Sequence, residues 1–274
     1  MLTAAIDDAR RSFGPRLLAG YALGSLAHGG FSAELSDVDL GLVLADPLSD
    51  SDGLAVADLV ARFKATGDPL AGRLSVFWGS KASLTGKSTL GRFPPVDRLD
   101  LLQYGRLLEG KDLREGLPVP TQRELVVAAA WLGLEVLDRP DVRAELISPE
   151  VLYAHGPRPL TKRVLFPVRF LYTARTGKIG PTDAAVEHYL SSAKPAQSLV
   201  AAALRWRETT PSRDEAISLL SQGLKPLYLE FIDDYLARVR AYGEVQLASL
   251  LEGWRARIAA ELPGDAGVPA VGVR

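Results

Sequence analysis

The stretch LAGYALGSLAHGGFSAELSDVDLGLVL, Leu18 to Leu44, decides the fold. Leu18, Ala19, Tyr21, Ala22 and Leu23 form a short apolar run stopped at Gly24-Ser25, the pattern of a buried strand ending in a tight turn. A polar, Gly-rich crossing with a short helix follows. Then Ser36-Asp37-Val38-Asp39 leads into a second apolar run, Leu40, Leu42, Val43 and Leu44. Successive side chains of an extended chain point to opposite faces, so Asp37 and Asp39 share one face and Val38 takes the other. Two carboxylates held side by side repel each other unless a cation lies between them. Mg²⁺ suits such a pair, because it takes one or two protein carboxylates and completes its shell with phosphate oxygens and water. The backbone N–H groups of Gly24-Ser25, close in space, are placed to hold a phosphate. An Asp-x-Asp pair alone is common and usually marks an exposed turn or strand start. The informative feature is the combination of a strand ending in Gly-Ser with Asp-x-Asp entering a second strand.

Working outward, the chain of 274 residues is long enough for one large domain or two smaller ones. Its formal net charge of −1 gives no global basic excess, so nucleic acid is not an expected partner. With no cysteine, disulfides and thiolate metal sites are excluded, which suits a reducing cytoplasm. MLTAAIDDARRSF carries acids and arginines and does not read as a secretory signal. No apolar run approaches the ~20 residues of a membrane span.

Residues 2–12 read as a helix before the first strand. Asp46 to Gly53 reads as an acidic loop lacking the closing Glu of a calcium loop. Leu54 to Thr66 has helical spacing, with Val56, Leu59, Val60 and Phe63 on one face. Arg73 to Trp78 reads as a third strand, and Leu99 to Leu108 as a fourth strand or strand–turn. Between them, Ser80 to Arg92 reads as a flexible basic loop. Gly86-Lys87-Ser88-Thr89 resembles the end of a Walker motif, but Lys81 stands where that motif needs its first Gly, and the reading is rejected. Leu117-Pro118-Val119-Pro120 reads as a semi-rigid linker. Beyond it the chain turns helical. Thr121 and Glu124 have the spacing of a capping box. Pro167 lies within a helical pattern, and Gly177 supplies a helix stop. Helices are expected over Ser198–Arg207, Arg213–Gln222 and from Leu224 past Trp254. The tail after Pro263 is expected to be disordered.

Gly24, Ser25, Asp37 and Asp39 resemble the nucleotidyltransferase superfamily that includes DNA polymerase β. The resemblance implies that the Gly-Ser turn, with Ser36, grips the triphosphate. It also implies that Asp37 and Asp39 bind the Mg²⁺ ions of a two-metal transfer. That family usually takes a third carboxylate from the third strand, as metal ligand or general base. This chain offers Ser75 there. Asp97 and Asp100 are the nearest acids able to substitute, against the plainer reading of surface acids flanking a strand or turn. A second stretch, Arg169, Leu171-Tyr172-Thr173, Thr176-Gly177-Lys178-Ile179, Pro181 and Asp183-Ala184-Ala185, resembles the helical domain of the streptomycin/spectinomycin adenylyltransferases. It implies that Lys178 contacts ATP phosphates. It also implies that Glu124 and Asp183 serve a cationic acceptor. By residue type alone, Lys178 is an exposed lysine complementing a helix C-terminus. The histidines His28, His155 and His188 are scattered, without metal-ligand spacing.

The expectation is therefore an α+β protein. A small mixed-sheet nucleotidyltransferase domain spans 1–116 and a helical bundle spans 121–262, with the site in the cleft between them. The implied reaction moves AMP from ATP to a hydroxyl of a small polar acceptor such as an aminocyclitol antibiotic, with Mg²⁺ as cofactor. The alternative, motivated by Ser75, is a nucleotide-binding or regulatory protein with the same fold and a degenerate catalytic centre.

Overall fold

A computed structural model describes residues 1–262; the expected tail disorder lies outside them. The contacts divide the chain into two compact units, the first ending at Ala128 and the second beginning at Ala129.

The first unit opens with α1 (Leu2–Phe13) and then holds β1 (Leu17–Leu23), α2 (Ser25–His28), β2 (Val38–Leu44), α3 (Asp50–Lys64) and β3 (Leu74–Ser80). The short helix α4 (Lys81–Leu84), α5 (Pro95–Tyr104) and β4 (Arg106–Gly110) follow. The sheet order is β3-β2-β1-β4; β2 and β3 are parallel and the other pairs antiparallel, so the sheet is mixed. Side-chain alternation divides β2 between two apolar layers. Val38, Leu40, Leu42 and Leu44 pack with Ala5, Ile6, Ala9 and Phe13 of α1 and with Val56 and Leu59 of α3. Val43 packs on the opposite face with Tyr21, Leu23, Phe77, Leu84 and Leu101. Asp39 has the parity of Val43, so it belongs to the face that α5 covers through Leu101.

The expected strand over Leu99–Leu108 is instead two elements, the end of α5 and then β4. Pro95 occupies the first turn of α5 and Asp97 follows it there, a start that suits proline and places a carboxylate at the positive helix end. The chain leaves α5 at Gly105 and pairs β4 with β1. The acidic loop is also shorter than expected. Ser49 and Asp52 form a capping box, so α3 begins at Asp50. Likewise Ser80 to Arg92 is not wholly loose: α4 occupies its start, and Arg92 at its end forms a β-bridge with Trp78.

The helix α6 (Gln122–Leu137) carries the chain from the first unit into the second. The second unit continues with α7 (Pro140–Ile147), α8 (Pro149–Ala154), α9 (Pro157–Thr176), α10 (Thr182–Leu190) and α11 (Gln197–Arg205). It closes with α12 (Arg213–Ala241) and α13 (Val245–Glu261). The segment His155 to Pro159, expected as loop, yields to α9 at Pro157, where a proline is tolerated because the first-turn N–H has no helical partner. Pro167 remains inside α9. It has no N–H for the Arg163 carbonyl one turn back, and the Tyr228 hydroxyl of α12 donates to that carbonyl at 3.0 Å. No helix among the described residues is long and apolar enough to cross a membrane.

Candidate active site

The site is built where β1 ends and β2 begins. Leu23, the last residue of β1, pairs with Asp39 of β2, and Asp39 pairs on its other side with Ser75 of β3. The position opposite Asp39 is thus a hydroxyl, as the sequence indicated. Gly24 follows with φ 60° and ψ −148°, a conformation nearly confined to glycine. A Cβ at this position would also collide with the Asp39 carboxylate. Both requirements fall on one residue, so the turn and the acid are packed as a unit. The Gly24 carbonyl then accepts from the amides of Ala27 and His28 at 2.9 and 3.0 Å, which opens α2 at Ser25.

Two further carboxylates near this turn come from α5. Asp97 and Asp100 stand three residues apart and so share one face of that helix. Neither is a surface acid flanking a strand: Asp97 is half-buried and Asp100 is buried. The Asp97 carboxyl is pushed up to about 8, chiefly by burial, then by the negative charges of Asp39 and Asp100, with Arg92 opposing. This shift places Asp97 within electrostatic reach of Asp39. Asp100 accepts the Gly24 amide hydrogen at 2.6 Å. Arg92 is fixed by donation to the Val76 carbonyl at 3.1 Å and lies over the Phe77 ring, 5.0 Å from its centroid.

These groups suit a hard divalent cation. Among the described residues no three His, Cys, Asp or Glu side chains enclose a metal ion by themselves. Mg²⁺ does not need such a cage, because it retains water and substrate phosphate oxygens. The oxygen donors and the accumulated negative charge around Asp97 fit it. Asp37, immediately before β2, and Asp39 would hold it.

Ser36 is buried, and its Oγ accepts the Ser32 amide hydrogen at 3.0 Å, so it closes the turn that leads into Asp37. Glu124 completes its capping box by accepting the Thr121 amide at 2.8 Å. Its other oxygen accepts from Arg98 of α5 at 2.9 Å. The Thr121 amide first, then the Thr121 hydroxyl and Arg98, hold the Glu124 carboxyl below its ordinary range against the opposing effect of burial. Glu124 therefore ties the start of α6 to the helix that carries Asp97 and Asp100. In the second unit, Gly177 ends α9 in the left-handed conformation, and Lys178 is exposed just beyond it. Asp183 is exposed in the first turn of α10. Arg169 is half-buried in α9.

The first unit brings Gly24 against Asp39 and Asp100, and both acids within electrostatic range of Asp97, with Ser25 and Asp37 nearby along the chain. Sequence reasoning had Asp97 and Asp100 as candidates but placed them on the wrong element. The Pro-x-Asp start of α5 and the i, i+3 spacing of the two acids were the signals that identify the helix.

A mixed four-stranded sheet with a glycine turn and an Asp-x-Asp on adjacent strand ends, followed by a helical part, defines an α+β protein. Among solved structures, the chain is similar to spectinomycin adenyltransferase AAD(9) from Enterococcus faecialis, crystallised with ATP and spectinomycin. The TM-score is 0.53 and the identity 17%, over 80% of this chain and 98% of that one. That likeness establishes the fold. Comparison by sequence finds no matching family profile and no matching curated protein.

Proposed function

We propose that the protein is a nucleotidyltransferase that moves AMP from ATP to a hydroxyl of a small polar acceptor. The observation that carries this reading is the packing of the Asp39 carboxylate against the Gly24 turn, with α5 tied to the same turn through Asp100. The acceptor oxygen attacks the α-phosphorus, its bond to pyrophosphate breaks, and pyrophosphate leaves with the bonding electron pair. Asp97, on the helix that Asp100 ties to the Gly24 turn, is the group proposed to take the acceptor's proton. Bound Mg²⁺ would neutralise charge on the phosphates and favour in-line displacement. Asp37 and Asp39 hold that ion, while the Gly24-Ser25 turn, with the neighbouring Ser36 loop, orients the triphosphate. In this reading Lys178 neutralises phosphate charge, and Glu124 and Asp183 face the acceptor. An aminoglycoside or aminocyclitol is the proposed acceptor class, supported by the spectinomycin in the structurally similar enzyme.

The test is transfer of labelled AMP to a panel of such acceptors. Product that disappears in Asp39→Asn is the expected result. ATP binding without transfer to any acceptor would overturn the assignment. The degenerate-centre reading rests on Ser75 opposite Asp39, and Ser75→Glu separates the two. Activity gained in that variant supports degeneration, whereas the Asp97 reading expects none.

A further inference from the structure

We propose that Asp100 is a positioning residue that locks the Gly24-Ser25 turn in its working shape by accepting the Gly24 amide hydrogen. Strand pairing ends one residue earlier, at Leu23, so the turn lies beyond the last pair of the β1–β2 ladder. Its glycine holds torsions that glycine populates about as readily as several others, so bonds from its surroundings are what fix the turn in one shape. Two sets of bonds do this. On the carbonyl side, Gly24 accepts from Ala27 and His28 and so sets the start of α2. On the amide side, the Asp100 carboxylate supplies the bond, at 2.6 Å and from a chain position far away. A charge-assisted bond of this length is among the stronger hydrogen bonds available to a backbone amide.

Asp100 is 6% exposed, and its charge acts on Asp97 together with that of Asp39. Burying a carboxylate among like charges is unfavourable, and a neutral side chain would fill the space at lower cost. What the carboxylate provides is an acceptor on the same helix face as Asp97. One rigid helix therefore fixes both the acid beside Asp39 and the turn beside it. A shift of α5 would move the two together and preserve their spacing.

The test compares Asp100→Asn with Asp100→Ala in the full chain. The Asn carbonyl keeps an acceptor in nearly the same place, whereas Ala removes it. Hydrogen exchange of the ¹⁵N-labelled Gly24 amide is the first readout. It should stay slow in Asp100→Asn and become at least tenfold faster in Asp100→Ala. Calorimetric titration with ATP and Mg²⁺ is the second, and it rests on the proposed function. Asp100→Asn should bind within about threefold of wild type and Asp100→Ala at least tenfold more weakly. Unchanged Gly24 exchange in Asp100→Ala would overturn the proposal. So would ATP binding lost equally in both variants while Gly24 stays protected, because that pattern marks a direct ligand. Tighter ATP binding in Asp100→Ala would overturn it too, by identifying Asp100 as a competitor of phosphate. If Asp100→Ala does not fold, Asp100→Ser takes its place, with the same expectations. If the wild type binds no ATP, the functional reading fails, and the exchange measurement still decides the role of Asp100.

Discussion

Asp97 in the sheet unit and Glu230 in the helical unit are both withdrawn from water, and their surroundings treat them in opposite ways. Burial raises both. Around Asp97 the neighbouring charges of Asp39 and Asp100 add to that rise, and Arg92 offsets it only in part. Around Glu230 the hydrogen bonds of Lys194, Tyr189 and Arg175 outweigh burial, and the carboxyl ends below its ordinary range. Lys194 and Arg175 lie at 3.0 Å, and the Tyr189 hydroxyl donates at 2.8 Å. Arg175 also reaches Asp234 at 3.1 Å, which in turn pairs with Arg238 at 2.7 Å. The helical unit thus neutralises its acids from within, and that network joins α9, α10 and α12 to the segment carrying Lys194. In the sheet unit the like charges of Asp39 and Asp100 act on Asp97, an arrangement that a bound cation would relieve. The net direction of the shift, up at Asp97 and down at Glu230, separates the two acids.

The sharpest challenge to this contrast is Asp97→Asn. It should lower AMP transfer by about 10²–10⁴-fold in a steady-state assay, the usual contribution of a general base. The melting temperature should hold, because a carboxyl raised to about 8 is largely protonated at neutral pH and Asn keeps its shape. A large fall in stability would erase the distinction between the two units. Glu230→Ala should do the reverse. It leaves Arg175 and Lys194 without their shared carboxylate and should cost about 3 kcal/mol in denaturant unfolding, as removal of one partner of a buried pair does.

Glu230 also has a pH signature. A carboxyl lowered in the folded state stabilises above its unfolded pKa of about 4.3, and that contribution is lost as pH falls through the folded value. Glu230→Gln should therefore flatten the acid side of the stability profile below about pH 5, read from thermal melts. Tyr228→Phe is smaller: it removes the donor to the Arg163 carbonyl at the Pro167 site and should cost about 1–2 kcal/mol. Smallest is Asp52→Asn. Asp52 is a paired acid of the sheet unit, held by Arg16 at 2.6 Å on the opposite sheet face from Asp39. Its hydrogen bond from Arg16, the largest influence, lowers its carboxyl. The variant should reduce the melting temperature slightly and leave ATP binding unchanged, showing that a paired acid is structural in either unit.

Much of this molecule was legible in local pattern. The Gly24 stop, the period-two alternation of β2 from Val38 to Leu44, the Thr121–Glu124 box and the Gly177 terminator are written within a few residues of where they act. The apolar alternation of β2 also determined which side of the strand Asp39 occupies. The third acid was not legible in this way. Ser75 is the neighbour that strand register puts opposite Asp39, and it is a hydroxyl. Asp97 joins the site because Leu101 docks α5 on the face that bears Asp39, a packing choice made across the sheet and not along the chain. Asp100 meets Gly24 for the same reason, across a separation in sequence that no local spacing rule reaches. Backbone hydrogen bonding and side-chain period act over a turn or a pleat, and so they specify elements. Burial of apolar faces acts between elements, and it alone decided which distant charges became neighbours.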